Sequence, residues 1–416
     1  MKHPYYTIFK KHGDILLIAL ALAVLAGGLI RQAGMIKINP AKTPRIVFTQ
    51  WWDEDAENGY LRGLADEFES LHEGIKVTVS YMPYKEIMAG LYGQKAIGAM
   101  PEMGDDVKGY PGNADVIAID PLWLPELRPE TINEGNGSAS NALASFISVL
   151  YYNIDILSEA GFSRPPKTRG EFLDYARAIG NGKTRLGLAM GLAGPRGIYD
   201  DLYPWIYAAG IHLSREGKAS VNSRQVTESL GFFAALNNED LIGPDARTAD
   251  SSKKIDDFIS GRAAFMVAPA SEIERVRKAM GDGAFSVSAV PSPDGYAGRS
   301  YYAGSDWAIA INPASRHREE AALFMDFMEG KAALLSEAAH AVSGSGSPPS
   351  IADPFYSKVW DIAIAGEQAR DFNGLPWNAM EAIFREELAS LFQGGALPAE
   401  AASAIQAEWE NAINSR

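Results

Sequence analysis

A chain of 416 residues, 47% apolar and 22% charged, is globular and long enough for two domains or one large two-lobed unit. Its formal charge of -14 and pI near 5.0 count against nucleic acid or an anionic membrane surface as partner, since both attract basic patches. The absence of cysteine removes disulfides, thiolate catalysis, thiolate metal sites and a lipidated N-terminal cysteine. His3, His12, His72, His212, His317 and His340 form no His-x-x-x-His pair, so a histidine metal site would need ligands assembled from afar, and no metal or cofactor is expected.

Lys2, Lys10 and Lys11 precede the uncharged run Ile15 to Ile30, ILLIALALAVLAGGLI. This is a basic region followed by an apolar one, the pattern of a signal peptide cut near Val24-Leu25-Ala26 or of an uncleaved membrane anchor. As a helix the run is roughly 24 Å long at ~1.5 Å per residue, short of a ~30 Å hydrocarbon core. In both cases the basic flank stays inside and residues from 46 onward are translocated. Residues 31 to 45 (RQAGMIKINPAKTPR) read as a tether.

Arg45 to Trp51 is β-branched and aromatic and predicts a strand, while Asp53 to Leu71 places Leu61, Leu64, Ala65, Phe68 and Leu71 at helical spacing. Ile75 to Met82 alternates as a strand, Tyr84 to Ile97 reads as a helix, and Ala114 to Asp120 as a buried strand. The β-α-β-α-β series predicts a doubly wound α/β lobe with a mainly parallel sheet. It restarts with a strand at Phe146 to Tyr152, a helix at Ile154 to Ala160, a Pro165-Pro166 turn, a helix at Thr168 to Ala178 and a strand at Arg185 to Met190. Helices near 200 to 209 and 223 to 238 and a strand at Ala263 to Val267 follow. Then come a strand at Trp307 to Ile311, a long helix at Arg318 to Ala339, and only helices from Asp353 onward. Ser343 to Ser350 (SGSGSPPS) reads as a flexible turn.

Catalytic signatures are weak. There is no G-x-x-x-x-G-K-[ST], no G-x-G-x-x-G opening a helix after a strand, and no G-x-S-x-G elbow. Asp53, Glu54 and Asp55 beside Trp51 and Trp52 would suit a glycosidase carboxylate pair. The commoner role for Glu54 and Asp55 is to complement a helix N-terminus. No enzyme activity is expected.

Five segments in order resemble the family 1 extracellular solute-binding proteins of ABC importers, which include the maltose-binding type. They are DVIAIDPLWLPEL (115 to 127), YYNIDILSEAGFSRPPKTRGEFLDYA (151 to 176), FISGRAAFMVAPAS (258 to 271), GSDWAIAINPASRHREEAALFMDFM (304 to 328) and GGALPAEAASAIQAEWENAI (394 to 413). The resemblance implies two α/β lobes, 46–148 with 302–342 and 149–301 with 343–416, closing by hinge bending on a ligand between them. It implies capture of a mono- or oligosaccharide on the outer face of the cytoplasmic membrane and delivery to an ABC permease by a monomer. An uncleaved N-terminal helix would stand in for the missing lipid anchor. Two features depart from the pattern: the lipobox cysteine is absent, and the segment from Leu127 to Leu150 is short.

A sugar presents apolar C-H faces and a rim of hydroxyls, so its cleft needs aromatic plates beside carboxylates and amides, placed at the C-terminal ends of strands. Trp51, Trp52 and Asp53 end the first strand, and alternation sends one tryptophan into the cleft and the other beneath it. Asp120 and Trp123 follow the ADVIAI strand. The family resemblance puts Tyr199, Asp200, Tyr203 and Trp205 where aromatic ligand contacts lie, though a core aromatic stripe reads equally well. Ser271 and Glu272 stand near the position of a stacking tryptophan that is absent here. Asp306 and Trp307 follow Gly304 at the second hinge crossing, and Trp377 with Asn378 opens a helix after Pro376. A polyamine, glycerol phosphate or iron complex is the alternative ligand class, and a sensing role beside a membrane receptor the alternative task.

Overall fold

The computed structural model describes residues 43–52, 59–84, 86–87, 113–120, 142–181, 184–194, 196–296, 300–312, 314–342, 353–369 and 375–415. The apolar run 15–30, Asp53, Trp123, residues 343–350 and most of the helix expected at 84–97 lie outside them. Among the described residues no helix is long and apolar enough to cross a membrane.

Strand β1 (Arg45–Gln50) turns Ile46 and Phe48, both 0% exposed, into the core. Helix α1 (Tyr60–Leu71) buries Leu61, Leu64, Ala65 and Phe68, the face set by its 3.6-residue period. It carries the chain to β2 (Lys76–Tyr81), parallel to β1, and β3 (Val116–Ile119) lies parallel on the other side. Helix α1 begins at Tyr60 after Gly59, whose φ of 68° is left-handed, and has no acid in its first turn. Glu54 and Asp55, expected to complement a helix N-terminus, lie outside the described residues.

Strand β4 (Ala144–Asn153) leads through α2 (Ile154–Glu159) and α3 (Arg169–Ile179) to β5 (Leu186–Ala189). Helices α4 (Gly197–Asp201) and α5 (Tyr203–Tyr207) follow. A two-residue ribbon, β6 (Ser214–Arg215) with β7 (Lys218–Ala219), precedes α6 (Arg224–Asn238) and α7 (Ser251–Ile259). Next are β8 (Ala263–Pro269), α8 (Ile273–Met280), β9 (Phe285–Ser288), β10 (Ser300–Ile311), α9 (Arg318–Gly330) and α10 (Ala332–Ala338). The chain ends with α11 (Pro354–Ala365), β11 (Glu367–Ala369), α12 (Trp377–Phe392) and α13 (Pro398–Asn414). Side chains of Asn153, Thr168, Ser223, Asp250 and Asp353 accept from first-turn amides of α2, α3, α6, α7 and α11. Each such cap stabilises by about 1 kcal/mol.

The strands order as β2-β1-β3-β10-β4-β8-β5, with β9 on β4 and β11 on β10. Parallel pairing holds toward the edges, β2-β1-β3 and β8-β5, whereas β3-β10-β4-β8 is antiparallel. The expected parallel sheets are thus one mixed sheet among the described residues. The cause is the length of β4 and β10, 10 and 12 residues, which each serve both halves. Strand β10 pairs with β3 through Ala308 to Ile311 and with β4 through Ala303 to Trp307. Strand β4 then pairs with β8 and β9 through Ser148 to Asn153. Alternate residues of β4 enter different cores: Phe146 and Leu150 join the larger, Ile147, Val149 and Tyr151 the one under α7, α8 and α11.

Three further expectations change. The strand expected from Trp307 starts at Ser300, the helix expected over 318–339 breaks at Lys331, and β11 interrupts the all-helical C-terminal stretch. The break follows Gly330, a weak helix former, and β11 exists only because β10 extends back far enough to pair with it.

Candidate functional site

The two tryptophans at the end of β1 face different surroundings, as strand alternation requires. Trp51, 7% exposed, meets Tyr84 edge-on at 5.3 Å between centroids and Phe146 at 5.9 Å. Trp52, 5% exposed, touches Phe146 at 6.2 Å and lines a cavity of about 290 Å³ with Tyr60, Tyr356, Glu274, Glu337, His340 and Asp353. That volume is near the lower end of small-ligand pockets, ~300 Å³.

On the Trp51 side a guanidinium joins the two halves of the sheet. Arg196 follows β5, in the segment Gly191 to Gly197. A Cβ on Gly191 would sit 2.5 Å from the Asp250 carbonyl oxygen, and one on Gly197 would overlap the Leu192 carbonyl, so both close approaches require glycine. Arg196 lies 5.1 Å over the Tyr84 ring and donates to the Tyr84 hydroxyl at 3.3 Å. It donates to both oxygens of Asp200, at 2.9 and 3.3 Å, and comes within 3.7 Å of Asp120, itself 1% exposed. Burial works against its charge, but Asp200, Tyr84 and Asp120 outweigh burial and hold its pKa well above the ordinary value.

Helix α12 fixes this segment from behind. Arg385 donates to the Gly194 carbonyl at 2.6 Å and to Glu381 Oε1 at 3.0 Å, and the Ile198 amide donates to the same Oε1 at 3.3 Å. The contact has ion-pair geometry, yet burial dominates and pushes the Glu381 carboxyl up to about 8 against the pull of Arg385 and the amide. At neutral pH it is mostly a neutral acid. Lys254 of α7 holds the far end by donating to Asp201 Oδ2 at 2.9 Å and to the Val267 carbonyl at 2.8 Å.

Of the residues singled out in the sequence, Asp120 and Asp200 converge on Arg196, and Trp51 is joined to it through the Tyr84 ring. Tyr199, Tyr203 and Trp377 are 0 to 1% exposed and pack on one another, with Tyr199 4.9 Å from Tyr203 and 5.4 Å from Trp377, behind that cluster. Trp205 is 0% exposed against Phe172. Trp307 is 1% exposed and meets the core ring of Phe48 at 6.0 Å. Asp306 accepts from the Ser145 hydroxyl across the β10–β4 crossing, and Ser271 is buried in the turn after β8. Asp53 and Trp123 lie outside the described residues. Tyr84, Arg196, Glu381 and Arg385 were not picked out. The one local signal was Arg196 and Asp200 at i, i+4 spacing.

A mixed sheet crossed by two long strands, with aromatic and charged side chains gathered where the strands of both halves end, defines a two-lobed solute-binding fold. The model of the bacterial extracellular solute-binding protein family matches residues 52–334, and the chain belongs to that family. A probable ABC transporter-binding protein of Deinococcus radiodurans is 22% identical over 62% of this chain, and the match spans 65% of that protein's length. Three solved structures share the fold. The GacH receptor of Streptomyces glaucescens, studied unliganded and with acarbose, has a TM-score of 0.69 and 20% identity over 89% of this chain and 99% of that one. A maltose-bound T. maritima protein has 0.68 and 18% over 88% and 99%. An ABC transporter solute-binding protein of Thermotoga lettingae bound with α-D-tagatose has 0.68 and 17% over 89% and 100%.

Proposed function

We propose that the chain captures a mono- or oligosaccharide in the cleft between its lobes and hands it to an ABC permease at the outer face of the cytoplasmic membrane. The observation that carries this reading is the cluster of Trp51 edge-on to Tyr84 and Arg196 over the Tyr84 ring, with Asp120 and Asp200. It combines aromatic faces for sugar C-H groups with a fork of donors and carboxylate acceptors for hydroxyls. Neighbours of the same fold carry acarbose, maltose and tagatose, which favours the same ligand class here. A polyamine is less well served, because the Arg196 guanidinium beside Asp120 and Asp200 would repel an ammonium group. The lobe boundaries 46–148 with 302–342 and 149–301 with 343–416, export by the segment 1–45, and a monomeric state belong to the same proposal.

A thermal-shift panel of mono- and oligosaccharides with polyamines as controls tests it. At 100 times its Kd a cognate sugar adds about 2.7 kcal/mol to stability and raises Tm. A flat response to every sugar with a rise for a polyamine would overturn it.

A further inference from the structure

Three side chains of metal-ligating type meet on the Trp52 side. His340 Nε2 lies 3.7 Å from Glu274 Oε1 and 3.7 Å from Asp353 Oδ1, and one ligand atom of each residue falls within 4.8 Å of the others. Glu274 is in the first turn of α8, His340 follows α10, and Asp353 caps α11. The N···O separations are too long for hydrogen bonds. They approach the edge of a metal tetrahedron, since bonds of ~2.0–2.2 Å to nitrogen and oxygen put ligand atoms roughly 3.3–3.6 Å apart.

The imidazole itself calls for a ligand. His340 is 5% exposed, and Nε2, the ring nitrogen that faces both carboxylates, stands 3.7 Å from each, beyond hydrogen-bond reach. Its φ of 48° is left-handed, a conformation that costs about 1 kcal/mol or more outside glycine. Arg277 pairs with Glu274, Asp353 and the exposed Asp282, so three carboxylates face one guanidinium for a formal net charge of -2, which matches one divalent ion.

We propose that Glu274, His340 and Asp353 hold one divalent transition-metal ion of the zinc type, with water from the cavity completing its coordination. One imidazole with carboxylates suits zinc better than calcium or magnesium, which prefer oxygen alone. Asp353 is pre-set for the role: the amides of Phe355 and Tyr356 fix its Oδ1 at 2.7 and 2.8 Å while that oxygen faces His340. Arg277 engages Glu274 Oε1 and Asp353 Oδ2. Guanidinium and metal therefore compete for the same two carboxylates. With the lobe boundaries proposed above, His340 comes from one lobe and Glu274 and Asp353 from the other, so the ion ties the lobes together. The metal site itself stands independently of the sugar reading.

The test is titration calorimetry of tag-free full chain, stripped with EDTA, against Zn²⁺, with X-ray absorption on the loaded protein. The expected result is one Zn²⁺ per chain, with one imidazole nitrogen and oxygen donors at ~2.0–2.2 Å. His340→Gln and Glu274→Gln each weaken binding at least tenfold. Arg277→Gln tightens it by removing the competing cation, an effect that a purely structural ion-pair cluster does not produce. Glu274 has a side chain 28% exposed, so its variant keeps the test open if His340→Gln does not fold. No saturable Zn²⁺ binding by the wild type, or equal affinity in the folded Gln variants, overturns the proposal.

Discussion

Arg196 and Arg277 both place a guanidinium among carboxylates and over an aromatic ring, one on each side of the β1 end. Their settings differ. The carboxylate partners of Arg196 have side chains 1% and 7% exposed, over the Tyr84 ring. Those of Arg277 (Glu274, Asp353 and Asp282) are 28%, 21% and 70% exposed, with Arg277 over Phe355 at 5.0 Å and beside the 290 Å³ cavity. An ion pair removed from water holds a fixed geometry and is expensive to leave half-made, whereas one that water reaches is screened and exchangeable. The first arrangement fits a rigid wall for ligand recognition, the second a place where an ion can enter.

The largest expected effect lies behind the rigid side. Lys254 and Asp201 are each 1% exposed and 2.9 Å apart. Lys254→Met leaves the Asp201 carboxyl buried without its ammonium and should destabilise by about 3–5 kcal/mol. The urea unfolding midpoint reads this directly, and an unshifted midpoint would show that the pair does not hold the Gly191 to Asp201 segment.

Next in size is a pH effect. The Glu381 carboxyl is pushed up to about 8 from the ordinary 4.5 by burial. The unfolded chain releases this proton above about pH 4.5, while the folded chain keeps it until about pH 8. The contribution of the neutral acid is thus full below pH 4.5 and is lost as pH rises through 8, by up to ~1.4 kcal/mol per pH unit. Glu381→Gln should flatten stability between pH 6 and 8 relative to the wild type. Parallel pH profiles for the two proteins would contradict the assignment. Glu69 and Glu171, held near 2 by their partners, act in the opposite sense and at lower pH.

The smallest effect separates the two tryptophans. Trp51→Phe should weaken sugar binding by roughly 0.5–1.5 kcal/mol, the worth of one aromatic plate, and Trp52→Phe should leave it unchanged. Fluorescence or calorimetric titration of both variants decides this, and equal losses would erase the distinction between the sides.

Much of the fold was legible because period and punctuation are local. RIVFTQ, IKVTVSY and ADVIAI read as strands within two residues of their observed limits, and the helix at 224–238 was expected at 223–238. Helices α7 and α8 escaped because SSKKIDDFI and IERVRKAM carry few apolar residues, and only Ile255, Phe258, Ile273 and Val276 mark their inner faces. Of the candidate site, Trp51 and Asp120 were singled out as strand-end residues and Asp200 through the family resemblance. Arg196 was passed over because an arginine between a proline and a glycine reads as solvated, and its partners Tyr84 and Asp120 are remote in the chain. Glu274, His340 and Asp353 likewise share no spacing that a scan for paired histidines would register.

The central claim is that the wall built by Trp51, Tyr84, Arg196, Asp120 and Asp200 holds a sugar. Titration calorimetry of maltose, maltotriose and tagatose into the wild type and into Arg196→Lys tests it most directly, since lysine keeps the charge and loses the planar fork. The account predicts one-to-one binding of at least one sugar by the wild type and an affinity at least tenfold weaker in Arg196→Lys. Binding of equal strength in a folded Arg196→Lys, or no heat with any sugar, would contradict it.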